Sequence, residues 1–213
     1  MVPWCSMHIF DAATSAATAL SWYHLSPEKQ YVGGNVHLYD AIATLGDRES
    51  YANVIAGITS AIEGEVLEIG AGTGIVSKAL AAQHGDRLLC TDIEPSTLVL
   101  NAHTRKRVAD CRELPVDSGS VDAVVGVGVY RYLRGDTANK FWPEMHRVIK
   151  HGGKLVLGEF HPRIIGIRGP QIGDAQIEDL FSTGDCYINP VHKRVGGKTM
   201  RIGTYLTYTL ESH

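Results

Sequence analysis

Cysteine is scarce in this sequence of 213 residues, and its four cysteines are widely separated. No two of them form a Cys-x-x-Cys pair, so neither a zinc knuckle nor a dithiol redox centre has its usual spacing. The histidines lack H-x-x-x-H spacing and accompanying carboxylate pairs, which argues against a metal-dependent enzyme. We therefore expect reduced thiols, as in the cytoplasm, and no bound metal.

Positive charge and long apolar runs are also lacking. The net charge is -3, whereas proteins that grip a nucleic-acid backbone usually carry a basic face, so we expect no nucleic-acid partner. The one basic run, residues 105–107, is either a solvated strand edge or an anion or partner contact. The sequence contains no stretch of about 20 apolar residues, so we expect no membrane span. The first Lys or Arg is Lys29, and Asp11 interrupts the amino-terminal apolar stretch, which argues against a secretory signal and for a cytoplasmic protein.

What the sequence does contain is the pattern of an α/β protein. Apolar residues make up 44% and charged residues 20%, close to globular averages. From Val66 onward, short β-branched runs alternate with helical patterns, which predicts βαβ units in a doubly wound, mostly parallel sheet with helices on both faces. The predicted strands lie near 65–69, 87–92, 107–110, 121–127 and 153–160, and the predicted helices near 48–62, 74–84, 95–103 and 137–150.

A glycine-rich turn follows the first predicted strand. Gly70, Gly72 and Gly74 stand between a buried strand and a helix, and glycines there let the backbone approach a ligand closely. Their Gly-x-Gly-x-Gly spacing differs from the dinucleotide fingerprint G-x-G-x-x-G, which disfavours binding of a nicotinamide cofactor.

Three further motifs follow in order. Asp92 ends the next strand, about 20 residues on, where an acid hydrogen-bonds ribose hydroxyls. Ala109-Asp110-Cys111 follows the third strand, and residues 144–157 combine a helix, a Gly-Gly turn and a strand. With the glycine turn, these motifs over about residues 39–160 resemble the class I S-adenosylmethionine-dependent methyltransferase family, of small-molecule type.

The resemblance implies a single domain over residues 1–213, with a seven-stranded sheet whose last strand is antiparallel. Residues 1–62 would form an amino-terminal helical lid, 63–160 the cofactor-binding core, and 161–213 a substrate-side flank ending in a hairpin. It implies S-adenosyl-L-methionine as cofactor and S-adenosyl-L-homocysteine as product. The implied cofactor contacts are Tyr39, Glu68, Gly70, Ala71, Gly72, Asp92, Ile93, Asp110, Cys111 and Val127.

Within that set the resemblance implies individual roles. Glu68 and the glycines line the methionine part, and Asp92 holds the ribose. Ile93 lies beside the adenine, Asp110 accepts from the adenine amino group, and the Cys111 backbone meets the ring. The residue types also allow other interpretations: Glu68 as a surface acid, Asp110 as a turn residue and Cys111 as a core filler.

The acceptor site is expected over the carboxyl ends of the strands. Its candidates are Tyr31, Tyr130, Arg131, Tyr132 and His161. Methyl transfer from a sulfonium depends chiefly on positioning, and a base helps only if the nucleophile must lose a proton. His161 is the candidate catalytic base because an imidazole titrates near pH ~6.5; its alternatives are a loop residue bonded to backbone and an acceptor contact without proton transfer. The tyrosines either wall the pocket or pack in the core or lid.

Absent signatures narrow the acceptor. Residues 126–129 lack the Asn/Asp-Pro-Pro-Tyr/Phe motif of nucleic-acid amine methylation, and no Pro-Cys nucleophile occurs. Together with the acidic charge balance, this favours a small-molecule acceptor, and Glu159-Phe160 resembles the strand ending of quinone and natural-product methyltransferases. The alternatives are a protein or RNA methyltransferase, and a cofactor-binding module or cyclase without methyl transfer. Nitrogen, oxygen and carbon acceptors, and any oligomeric state, agree equally with the sequence.

Overall fold

A computed structural model of the protein describes residues 48–103, 105–133, 135–160, 186–195 and 197–210. The first 47 residues of the predicted lid, with Tyr31 and Tyr39, lie outside the described residues, as does His161.

The described helices and strands alternate through the core. The helices are α1 (Arg48–Thr59), α2 (Ile75–His84), α3 (Pro95–Leu98) and α4 (Asp136–Val148), with short 3-10 helices at Gly85–Arg87 and Tyr130–Tyr132. The strands are β1 (Val66–Ile69), β2 (Leu88–Asp92), β3 (Lys106–Val108), β4 (Val121–Val127), β5 (Ile149–Phe160), β6 (Cys186–Val195) and β7 (Lys198–Thr209). Within this part of the chain, none of the helices has the length and apolar character that a membrane crossing requires.

The described strands form one mixed sheet in the order β3-β2-β1-β4-β5-β7-β6. Each neighbouring pair from β3 to β5 is parallel, and β7 runs antiparallel to both β5 and β6. The prediction of an α/β fold with a mostly parallel sheet is confirmed. After β1 the chain builds β2 and β3 on one side and then crosses to β4 on the other. Open α/β sheets bind ligands at such a switch point, outside the carboxyl ends of the strands.

Among the described residues, two hydrophobic clusters cover the two faces of the sheet. Leu67 packs with Phe141 of α4 on one face, and Val66 packs with Ile55 of α1 and Leu80 of α2 on the other. All four residues of β1 are buried, as expected for a parallel strand covered on both faces. This burial holds the end of β1, and the glycine turn after it, in a rigid frame.

The helix predicted over residues 95–103 is wrong in extent, because α3 ends at Leu98. The side chain of Asn101 accounts for the early end. Its Nδ2 donates to Ser77 Oγ (2.7 Å), and its Oδ1 accepts from the backbone N–H of His103 (2.9 Å). An asparagine that bonds to nearby groups in this way competes with helical hydrogen bonds.

The boundary between α4 and β5 also differs from the prediction. The helix ends at Val148 and the strand starts at Ile149, four residues before the predicted start at 153. The pairing with β4 shifts register in this stretch, and Gly152 takes a φ of +73°. The Gly-Gly turn predicted to separate the two elements is thus an irregularity inside β5.

Candidate functional site

The glycine turn leaves the backbone open at the carboxyl end of β1. Gly70, Gly72 and Gly74 have φ values of +64°, +51° and +96°, a region that residues with a Cβ rarely adopt. A Cβ added at Gly70 would lie 2.5 Å from Cγ2 of Val129. The turn therefore requires glycine, both for its conformation and for the space beside it.

Asp92, at the end of β2, is tied to the glycine turn. Its Oδ2 accepts from the backbone N–H of Gly72 (2.7 Å) and its Oδ1 from that of Glu94 (2.8 Å). Burial raises the pKa of Asp92, and these two hydrogen bonds act in the opposite direction. Since each carboxylate oxygen has about two lone pairs, the side chain retains acceptor capacity for a ligand hydroxyl.

Glu68 is buried beneath the turn and is 2% exposed. Its Oε2 accepts from Ser77 Oγ, which in turn accepts from Asn101 Nδ2. Burial raises the pKa of Glu68 from 4.5 to about 7, against the opposing effect of the Ser77 hydrogen bond. The interpretation of Glu68 as a surface acid is therefore wrong.

The raised pKa of Glu68 predicts a pH-dependent contribution to stability. The folded state binds this proton more tightly than the unfolded state, so the contribution is full below pH 4.5 and is lost as the pH rises through about 7. Glu68→Gln should therefore gain stability relative to the wild type, by up to about 3 kcal/mol between pH 4.5 and 8. Urea unfolding across this range measures the difference.

The matched control is Glu63→Gln, because Glu63 is an exposed acid close by in the chain. It removes one carboxyl from the same part of the chain without removing a buried group, and so gives the baseline for the comparison. A Glu68→Gln stability difference that does not change with pH relative to this baseline would contradict the assignment of a buried, protonatable carboxyl.

A cavity of about 520 Å³ lies at the switch point. It is bounded by the ends of β1, β2 and β4 and by the segment after β3. Eight of the predicted site residues line it: Gly70, Gly72, Asp92, Ile93, Asp110, Cys111, Val127 and Tyr132. A smaller cavity of about 20 Å³ beside the glycine turn is lined by Glu68, Ala71 and Arg48, among others. The structure thus brings together predicted residues from four separate segments.

The segment after β3 carries charge into the cavity. The guanidinium of Arg112 is ion-paired with the Asp110 carboxylate, with Nε 2.9 Å from each oxygen. This pairing lowers the pKa of Asp110. Burial raises the pKa of the Cys111 thiol to about 11, so the thiol is protonated at neutral pH. Ile93 is 60% exposed at the cavity.

The predicted acceptor residues are placed differently from one another. Tyr132 lines the large cavity, whereas Tyr130 is half-buried and packs against the hydrophobic core on the α4 face. Arg131 lies between them in the same 3-10 helix. Among the described residues, no group of three or more potential metal ligands lies together.

Sequence reasoning missed two arginines. Arg48 is 7% exposed and lines the small cavity with Glu68; no local signal predicted this, because packing of α1 against α2 brings it there. Arg112 stands two residues after Asp110, a spacing that allows the observed ion pair. The Asp-x-Arg pattern was thus available in the sequence.

The mostly parallel sheet, its strand order and the turn between β1 and α2 define a Rossmann-like methyltransferase fold. Residues 67–157 match the family model described as a methyltransferase domain. This match supports the predicted resemblance to the class I S-adenosylmethionine-dependent methyltransferase family.

Individual relatives differ in the reactions that their names describe. A malonyl-[acyl-carrier protein] O-methyltransferase of Herminiimonas arsenicoxydans is 36% identical over 123 residues, covering 55% of this chain and 45% of that protein. A ubiquinone/menaquinone biosynthesis C-methyltransferase of Geobacter sp. strain M21 is 29% identical over 155 residues, covering 67% and 60%. The chain thus spans about half the length of the curated relatives it matches.

Among solved structures, a SAM-dependent methyltransferase from Archaeoglobus fulgidus superposes with a TM-score of 0.64 at 11% identity. The match covers 80% of this chain and 99% of that one. At this identity the likeness concerns the fold.

Proposed function

We propose that the protein binds S-adenosyl-L-methionine and transfers its methyl group to a small-molecule acceptor. The observation that carries the proposal is the cavity at the switch point between β1 and β4, where an open glycine turn and the acid ending β2 face the same space. Its volume of about 520 Å³ lies in the range of small-molecule sites.

The residues present fit the parts of this cofactor. Gly70 and Gly72 line the cavity with positive φ values that residues with a Cβ rarely adopt, so their backbone faces the ligand without a side chain. The buried Asp92 keeps acceptor capacity for a ribose diol. Beside the turn, Glu68 and Arg48 offer a carboxyl and a guanidinium group to an amino acid's ammonium and carboxylate groups. Each half of the cofactor therefore meets groups of suitable chemistry.

The adenine would lie against the segment after β3. Asp110 is an acceptor for the adenine amino group, and the ion pair with Arg112 keeps its carboxylate ionised. The half-buried Cys111 would contribute its backbone, because its thiol packs against the core. Ile93 offers an apolar surface at the cavity.

When bound, S-adenosylmethionine would supply a methyl group activated by its sulfonium: the acceptor would bond to the methyl carbon as the carbon–sulfur bond breaks and S-adenosylhomocysteine leaves. The protein's part is to hold the nucleophile against that methyl group and exclude water. Val127, Val129 and Tyr132 wall the cavity, and the ring of Tyr132 is suited to stabilise a cation. His161 would accept a proton from an acceptor that must lose one.

The relatives' names support a small acceptor such as a carboxylate or a quinone-like ring. One relative is named as an O-methyltransferase and the other as a C-methyltransferase, so both acceptor chemistries belong in the test. Alternative hypotheses are methylation of a protein or RNA, and cofactor binding without methyl transfer.

Calorimetry with S-adenosylmethionine and S-adenosylhomocysteine tests the cofactor. We expect one site with a micromolar Kd, because the glycine turn and the acids would contact both the nucleoside and the amino-acid part of the ligand. Folded protein that binds neither compound would overturn the proposal.

Transfer of a tritiated methyl group to separate pools then identifies the acceptor class. Label in free carboxylic acids or quinones, or in acyl groups that thioester cleavage releases from a carrier, supports a small acceptor, and label that stays in protein or RNA after this cleavage contradicts it. Cofactor binding without label in any pool would favour a binding module.

A further inference from the structure

The wall on the adenine side of the cavity is held at two points. At its start, the N–H of Ala109 donates to the Asp92 carbonyl (2.9 Å). At its end, the N–H of Leu114 donates to Oε1 of Glu144 on α4 (2.6 Å). Between these points lie Asp110, Cys111 and Arg112, which line the cavity.

Arg147, one turn along α4, holds the same end of the wall. Its Nη2 donates to the carbonyl of Leu114 (3.1 Å) and its Nη1 to that of Val116 (2.9 Å). Together with the bond from Leu114 N–H to Glu144, these bonds provide hydrogen-bond partners for backbone groups of Leu114 and Val116, and both side chains belong to α4. We call Glu144 and Arg147 the α4 clamp.

The two members of the α4 clamp also fix each other. Arg147 Nε donates to Glu144 Oε2 (2.8 Å) and Nη2 to Oε1 (2.7 Å), a bidentate pair. Glu144 is 8% exposed, and the arginine holds the pKa of its carboxyl below the usual value. Bidentate pairs of this kind are geometrically specific. The clamp therefore holds the Leu114 end of the wall in one position.

The clamp reaches the cavity through very little chain. Leu114 is two residues beyond Arg112, and the N–H of the intervening Glu113 donates to the Asp110 carbonyl (3.0 Å). If Leu114 is displaced, the short hydrogen-bonded segment between them should therefore displace the Asp110 carboxylate as well. Neither clamp residue lines the cavity, so any effect on the ligand acts through this wall.

We propose that Glu144 and Arg147 are positioning residues that set the base selectivity of the cofactor site by fixing the place of Asp110. The inference rests on the proposed function, in which Asp110 accepts from the adenine amino group. A carboxylate held in one position discriminates a base with an amino group from one with a carbonyl oxygen there. A loosened wall allows the carboxylate to move away from the carbonyl and lose that discrimination.

The test compares the Kd of S-adenosylhomocysteine with that of S-inosylhomocysteine, which carries a carbonyl oxygen in place of the amino group. The wild type should prefer the adenosyl ligand by about tenfold or more, as for a hydrogen bond to a charged group. Glu144→Ala should weaken adenosyl binding by about five- to fiftyfold and bring the ratio close to that of Asp110→Asn. Glu144→Gln, which keeps an acceptor for Leu114 N–H, should retain part of the preference.

Asp122→Ala is the matched control. Asp122 Oδ2 likewise accepts from a backbone N–H, that of Glu65 (2.8 Å), and from a cation, Lys150 Nζ (2.6 Å). It stands at the start of β4, at the opposite edge of the sheet from the cavity. Asp122→Ala should lower the thermal midpoint as Glu144→Ala does and leave the base ratio unchanged.

The outcomes separate the two claims. A folded wild type that binds neither ligand overturns the proposed function. A wild type that binds both equally, or a Glu144→Ala variant that keeps the full wild-type ratio, overturns the inference and leaves cofactor binding intact. An equal change of ratio in Asp122→Ala would also overturn it, because loss of stability would then explain the effect.

Discussion

Replacement of His161 by alanine is expected to lower turnover by about 10²–10⁴-fold while cofactor affinity stays nearly unchanged. His161 directly follows Phe160, the last residue of β5, and a neutral imidazole is a base near pH ~6.5 and above. If it removes a proton from the acceptor, the wild-type rate should rise with pH through an imidazole ionisation. Steady-state kinetics from pH 5.5 to 8.5, with calorimetry on the variant, measure both effects.

Two further variants make the result specific. His161→Asn keeps a hydrogen-bonding group without the basicity, so it separates orientation from proton removal. His192→Ala removes an exposed histidine of β6 and should leave turnover unchanged. Near-normal rates in both His161 variants would contradict a general base and favour catalysis by positioning alone, as for an acceptor already nucleophilic at neutral pH.

Asp92→Ala is expected to weaken cofactor binding by about 1.5–3 kcal/mol, or roughly tenfold or more in Kd. Two effects act together, since the variant loses the acceptor for the ribose and leaves the N–H groups of Gly72 and Glu94 without their carboxylate partner. The second effect loosens the glycine turn itself. Calorimetry with S-adenosylhomocysteine gives the Kd, and urea unfolding gives the accompanying loss of stability.

Asp92→Asn distinguishes these effects because it keeps one side-chain oxygen as an acceptor. It should lose less stability than the alanine variant and still bind the cofactor more weakly than the wild type. Asp117→Ala, which removes an exposed acid from the loop before β4, is the control for net charge. A folded Asp92→Ala protein with the wild-type Kd would show that Asp92 does not hold the ribose.

Much of the core could be predicted because its signals are local. The strands β1 and β4 are rich in apolar residues and almost entirely buried, as expected for parallel strands covered on both faces. The glycine turn and the acid at the end of β2 belong to one βαβ unit, whose geometry places strand ends together at one edge. For the same reason the predicted contacts Gly72, Asp92 and Asp110 line one cavity.

Where the prediction failed, a contact between distant segments decided the outcome. The sequence pattern of residues 95–103 is helical, yet the chain leaves the helix after Leu98 because Asn101 bonds to Ser77, 24 residues away. The propensity of a short segment is a fraction of a kcal/mol per residue, so a buried hydrogen bond outweighs it.

The order of strands and helices along the chain, the glycine turn and the acids at the strand ends could be predicted from the sequence, because each depends on residues close together in the chain. Packing between distant segments places Arg48 beside Glu68 in the small cavity, buries Glu68 so that its pKa is raised, and brings Glu144 to the backbone of Leu114. These features depend on burial and on contacts between separate elements, which arise only once the helices have packed on the sheet.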